Sequence, residues 1–153
     1  MILHSMIFGK GRPLIILHGL FGMLDNWKSL GKKFAEDYEV HLIDQRNHGK
    51  SFHHQSCSFE LMAEDLRIYI EHYSLSDVYI IGHSMGGKVA MFYAVKNNKK
   101  LDKLIVVDIA PKNYSIANSN HANILDIITN LETITSRQET EIQLKKFIKE
   151  EGV

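Results

Sequence analysis

The sequence predicts an α/β fold built on a mostly parallel sheet with flanking helices. Three observations carry that expectation. Short, continuously apolar runs at Pro13–Leu17, Val40–Ile43, Val78–Ile81 and Leu104–Val107 have the composition of strands buried on both faces. Segments with apolar residues at helical spacing separate them, the alternation that builds right-handed crossovers. The composition, 153 residues with 44% hydrophobic and 24% charged, suits a domain with its own core and excludes a disordered or fibrous chain.

The elements follow in order. Met1–Phe8 reads as a first strand, and Gly9–Gly11 as a turn into Pro13–Leu17. That strand ends at His18-Gly19, and a loop continues through Gly22. Asn26–Asp37 reads as a helix with Trp27, Leu30 and Phe34 on one side and Asp25 or Asn26 as its N-cap. Val40–Ile43 leads to Asp44 and a polar, His-rich loop. Ser58 is placed to cap a helix over Phe59–Tyr73, with Leu61, Leu66, Ile68 and Ile70 supplying apolar surface. Val78–Ile81 is followed by a helix over Ser84–Asn97, with Val89, Phe92, Tyr93 and Val95 among its apolar positions. Leu104–Val107 ends at Asp108. After Pro111 the pattern changes: residues 113–123 read as a polar loop, and helical stripes follow at Ile124–Ile134 and Ile142–Ile148. Ser136 and Glu139 form a capping-box pattern between them. The expected division is therefore 1–111 and 112–153.

Charge and composition exclude several function classes. Eighteen basic and eighteen acidic residues give zero formal net charge, against the basic excess of nucleic-acid modules. No apolar run approaches the roughly 20 residues of a membrane helix. The first residues lack the pattern of a secretory or transit peptide, so a cytoplasmic location is expected. Cys57 is the single cysteine and forms no internal disulfide. His48, His53, His54 and Cys57 match no common zinc spacing, and the loop after Ile43 lacks the phosphate-loop pattern. No metal or cofactor is expected.

Gly82-His83-Ser84-Met85-Gly86, followed by Gly87, carries the strongest chemical signal. It lies directly between an apolar strand and a helix, the context of a nucleophile elbow. A turn this tight forces Ser84 into an unfavourable backbone region, and glycines two residues away on each side relieve the crowding. Ser84 is then lifted above the sheet, beside the Met85 N–H at a helix N-terminus, which suits a developing oxyanion. His18-Gly19-Leu20-Phe21-Gly22 follows the first buried strand. It reads either as a second oxyanion loop donating the Leu20 N–H or as a glycine-rich turn without a role, with His18 a structural side chain. Asp44 and Arg46 read as an internal ion pair bracing the site. Asp108, at a strand's carboxyl end on the rim that holds Ser84, reads as the acid that orients a histidine or as a strand-end carboxylate in a local network.

The four loops HGLFG, DQRNHGKS, GHSMGG and VVDIAP together resemble the α/β-hydrolase family, and within it the YbfF-type esterase branch, from about Leu3 onward. The resemblance implies Ser84 as nucleophile, Leu20 and Met85 as oxyanion donors, Asp108 as triad acid, and 112–153 as the start of a helical lid. It implies a small acyl ester or thioester as substrate; a C–C hydrolase or haloperoxidase-like relative would share the elbow. Full members continue past the lid with further strands and a histidine loop. This sequence ends at Val153, and its only histidine beyond Asp108 is His121. The resemblance therefore implies a C-terminally truncated core. Two expectations follow: an esterase whose base comes from elsewhere, or a catalytically impaired fragment. The Leu104–Val107 strand is expected to be an open sheet edge, prone to self-association or to pairing with a complementing C-terminal fragment.

Overall fold

A computed structural model of the chain describes residues 1–114 and Ser136. The chain divides into two compact units, Met1–Pro111 and Lys112–Val153. The expected lid helices, the Glu139 half of the capping box and His121 lie outside the described residues.

The first unit runs β1 (Ser5–Phe8), β2 (Arg12–Leu17), a 3-10 turn (Leu24–Trp27), α1 (Lys28–Phe34), β3 (Tyr38–Ile43), α2 (Phe59–His72), β4 (Val78–His83), α3 (Met85–Lys96) and β5 (Leu101–Val107). The strands form one sheet in the order β1-β3-β2-β4-β5. β1 pairs antiparallel with β3, and every other pairing is parallel. The chain moves from β2 outward to β3, then crosses back over β2 to β4. Right-handed crossovers in opposite directions put their helices on opposite faces. Leu14, Ile16, Val40 and Leu42 accordingly form one core layer with Trp27 and Phe34. Ile15, Leu17, Ile43 and Ile80 form the other, under Leu66, Ile70, Val89 and Tyr93 of α2 and α3. The reversal leaves a crevice at the carboxyl ends of β2 and β4, where an open α/β sheet binds its ligand.

Several expected details are corrected by packing. The first helix begins later, because Leu24–Trp27 closes as a 3-10 turn in which the Asn26 side chain accepts the Met23 N–H at 2.7 Å. Neither Asp25 nor Asn26 caps α1; Trp27 stands at that position without a side-chain bond. Leu30 is exposed, and Gly31 takes the core position instead. A Cβ on Gly31 would stand 3.1 Å from the Leu42 methyls, so the absence of a side chain lets α1 sit close on the sheet. In α2, Met62, Ala63 and Tyr69 join Leu66 and Ile70 in the core, while Leu61 is exposed. The Ser58 cap forms as expected, its side chain accepting the Leu61 N–H at 3.3 Å. Of the apolar positions in α3, Val89 and Tyr93 are buried and Val95 is 84% exposed. β5 begins at Leu101, three residues early, and so includes Asp102 and Lys103.

Candidate active site

β4 continues through Gly82 and His83, and α3 starts at Met85. Ser84 alone makes the turn between them, with φ 48° and ψ −114°. This left-handed conformation is one an L-residue adopts only under constraint. The constraint is the close approach of strand and helix. A Cβ on Gly82 would lie 2.5 Å from the Gly86 carbonyl oxygen, and one on Gly86 would lie 2.5 Å from the Leu17 carbonyl oxygen and 2.7 Å from that of His18. The Ser84 N–H donates to the Val107 carbonyl at 2.9 Å, so the turn is also pinned to the end of β5. Ser84 is half-buried, and its hydroxyl makes no hydrogen bond among the described residues.

The loop after β2 sits against this turn. A Cβ on Gly19 would lie 3.4 Å from the Ser84 Cβ and 2.9 Å from the His83 Nδ1. Leu20 follows with an exposed side chain, and Met85 opens α3 with a half-buried one. The structure thus brings the Ser84 turn at the start of α3 together with the His18–Gly19 backbone. It brings β5's end there too, but the Asp108 side chain is 85% exposed, with φ 56°. Its nearest histidine among the described residues is His83, at 3.9 Å between Nε2 and Oδ2, which is too long for a hydrogen bond. The His83 ring also lies 6.2 Å from that of Trp27.

His18 is buried, and both its ring nitrogens are used. Nδ1 lies 2.8 Å from the Gly19 carbonyl, and Nε2 accepts the Gln45 N–H at 3.1 Å. A carbonyl only accepts and an amide N–H only donates, so the proton is on Nδ1. Burial, the largest influence, lowers its pKa, and the neighbouring His48 adds to that, against the opposing hydrogen bond to Gly19 and the Asp44 charge.

The expected ion pair between Asp44 and Arg46 does not form. Arg46 turns to α2 and makes a bidentate pair with Asp65, Nε at 2.5 Å and Nη2 at 2.7 Å, and also donates to the Ser56 and Leu61 carbonyls. The fork geometry of a guanidinium favours a carboxylate presented on a rigid helix over one two residues away along the loop. Asp44 instead accepts the Leu24 N–H at 2.8 Å, the Lys50 N–H at 2.9 Å and His4 Nδ1 at 3.0 Å. Both residues brace the loops around the crevice, through partners different from those expected. Asp65, His4 and Gln45 were missed because each makes its contacts at 19 residues' separation or more, and no local motif marks them.

Among the described residues no group of three or more His, Cys, Asp or Glu side chains converges, and no helix is long and apolar enough to cross a membrane.

Comparison with known proteins agrees with this geometry. Residues 12–132 match the family described as alpha/beta hydrolase fold. The chain is 38% identical over 152 residues to the sn-1-specific diacylglycerol lipase ABHD11 of Danio rerio, covering 95% of this chain and 48% of that protein. It is 33% identical over 143 residues to the esterase YbfF of Escherichia coli, covering 92% of this chain and 56% of that one. A solved marine microorganism esterase superposes with a TM-score of 0.87 at 45% identity, over 96% of this chain and 59% of that chain. The chain thus spans about half the length of the curated relatives it matches. With the elbow between β4 and α3 and the matched pattern over 12–132, the chain belongs to the α/β-hydrolase family.

Proposed function

We propose that this chain carries the nucleophile of a serine hydrolase that cleaves small acyl esters or thioesters through an acyl-enzyme on Ser84. The observation that carries the reading is the left-handed Ser84 between β4 and α3, with Gly19 packed against its Cβ. Ser84 Oγ attacks the acyl carbonyl, and its proton passes to an imidazole base. The N–H groups of Leu20 and Met85 stabilise the oxyanion, aided by the N-terminal end of α3. The leaving alcohol or thiol takes the proton, and water then releases the acyl group by the same steps. Asp108 orients the base. The printed names of the relatives, an esterase and a diacylglycerol lipase, support an ester substrate.

A second reading has its own observation. The Ser84 hydroxyl has no hydrogen-bond partner among the described residues, and Asp108 has no histidine within hydrogen-bond reach there. The 153-residue chain is then a catalytically impaired fragment. Loss of a triad member leaves a residual catalysis on the order of 10³–10⁴ over water, from oxyanion donors and binding alone. The test is hydrolysis of a short p-nitrophenyl ester and its thioester analogue beside a Ser84→Ala control. A fast rate that is lost in Ser84→Ala is expected of the proposed hydrolase and would refute the impaired reading; a residual rate equal to the control's would refute turnover through Ser84 and is what the impaired reading expects.

A further inference from the structure

His18 and Gln45 fix two consecutive peptide planes in the loop that faces Ser84. The Gln45 Nε2 donates to the His18 carbonyl at 2.7 Å while its backbone N–H holds the His18 ring. The Gly19 carbonyl accepts from His18 Nδ1 at 2.8 Å and from the Gly22 N–H at 3.0 Å. In a trans peptide the C=O and the following N–H point in opposite directions. With the Gly19 carbonyl drawn back toward the His18 ring, the Leu20 N–H is turned away from it. The buried Gln45 Oε1 is left without a partner. A buried orphan acceptor is costly, so packing alone gives no reason for an amide here; the donor on its other end does.

We infer that His18 and Gln45 are positioning residues that aim the Leu20 N–H at the oxyanion, His18 by holding the Gly19 carbonyl and Gln45 by holding the His18 carbonyl and ring. The inference rests on the roles proposed above for Ser84 and Leu20. His18 touches no substrate; it acts through the peptide plane it holds, and only as the Nδ1–H tautomer. Gln45 selects that tautomer, since its N–H occupies Nε2.

The ¹⁵N-labelled 153-residue chain, titrated with phenylboronic acid, tests it. Boron takes the Ser84 Oγ, the displaced proton goes to solvent, and the tetrahedral anion stands in for the oxyanion without needing a base. The ¹¹B signal reports the adduct on Ser84, and the Leu20 amide proton reports the donor. Wild type should show both, with the His18 imidazole nitrogens reading as the Nδ1–H tautomer. His18→Leu and Gln45→Met should weaken the adduct on the order of tenfold or more and abolish the Leu20 displacement. His18→Asn, whose amide nitrogen can stand where Nδ1 stands, should restore it. Gln45→Met removes the donor and the orphan acceptor together, so it decides the matter if His18→Leu does not fold. An unchanged Leu20 displacement in the variants, or an Nε2–H tautomer in wild type, overturns this inference alone. Absence of any Ser84 adduct in wild type overturns it together with the proposed nucleophile.

Discussion

Ser84 holds φ 48°, a conformation that costs an L-residue of order 1–3 kcal/mol and persists because the surrounding packing determines it. Two substitutions separate strain from chemistry. Ser84→Ala removes the hydroxyl and keeps the strain, whereas Ser84→Gly removes both. Glycine in place of alanine ordinarily lowers stability through the unfolded state, and the order reverses where φ is positive. Urea unfolding should therefore find Ser84→Gly more stable than Ser84→Ala by about 1 kcal/mol; the opposite order would mean that the turn is relaxed in solution. Asp44 gives a pH prediction. Burial alone would raise its pKa, but hydrogen bonds from the Lys50 and Leu24 N–H groups and from His4 outweigh it, and the net shift is downward. A carboxylate whose pKa is lower folded than unfolded contributes stability that is present above its unfolded value of about 3.9 and is lost as pH falls through the folded value. Acid unfolding curves should show this loss, and Asp44→Asn should lower stability at pH 7 and flatten the dependence below pH 4. An identical acid limb in wild type and variant would contradict it. The elbow was legible in the sequence because strand, glycines and helix onset are all local. The Asp44–Arg46 pairing was misread because the carboxylate that Arg46 prefers, Asp65, is brought to it only by the folding of α2.

At the scale of elements, the loop between β3 and α2 is tied to α2 by a buried ion pair and by a helix cap. Arg46 and Asp65 are both buried and satisfy each other bidentately, with two backbone carbonyls on the remaining guanidinium donors. Removing one partner leaves an uncompensated buried charge, so Asp65→Ala should cost about 3–5 kcal/mol. Ser58→Ala, which loses only the cap on α2, should cost about 1 kcal/mol. Thermal or urea unfolding of the two variants checks the ranking; equal effects would show that the Arg46 pair is solvated in solution. The mostly parallel sheet and the three α-helices of the described residues could be read from apolar periodicity, since that pattern records burial. The start and the inward face of α1 could not. Gly31 faces the core because α1 must approach Leu42 closely, and an apolar pattern cannot register a residue chosen for having no side chain.

For the molecule as a whole, β5 is an edge: among the described residues nothing pairs with its outer side. Ile105, 46% exposed, and Val107 leave apolar surface there. Only the first half of the strand is guarded by charge, with Asp102 engaged by Arg12 and Lys103 lying over the Tyr79 ring. An apolar, β-branched edge of this kind pairs with other chains, and the occupant we propose is a second copy. Light scattering on eluting protein should show association that grows with concentration and is reduced by Ile105→Lys with Val107→Lys; a monomer at all concentrations would refute it. The most direct measurement on the chemistry asks where an acyl group lands. The 153-residue chain, incubated with p-nitrophenyl acetate, digested and mapped by mass spectrometry, should carry acetyl on Ser84. Acetylation confined to lysines, and the same in the Ser84→Ala chain, would contradict Ser84 as the nucleophile.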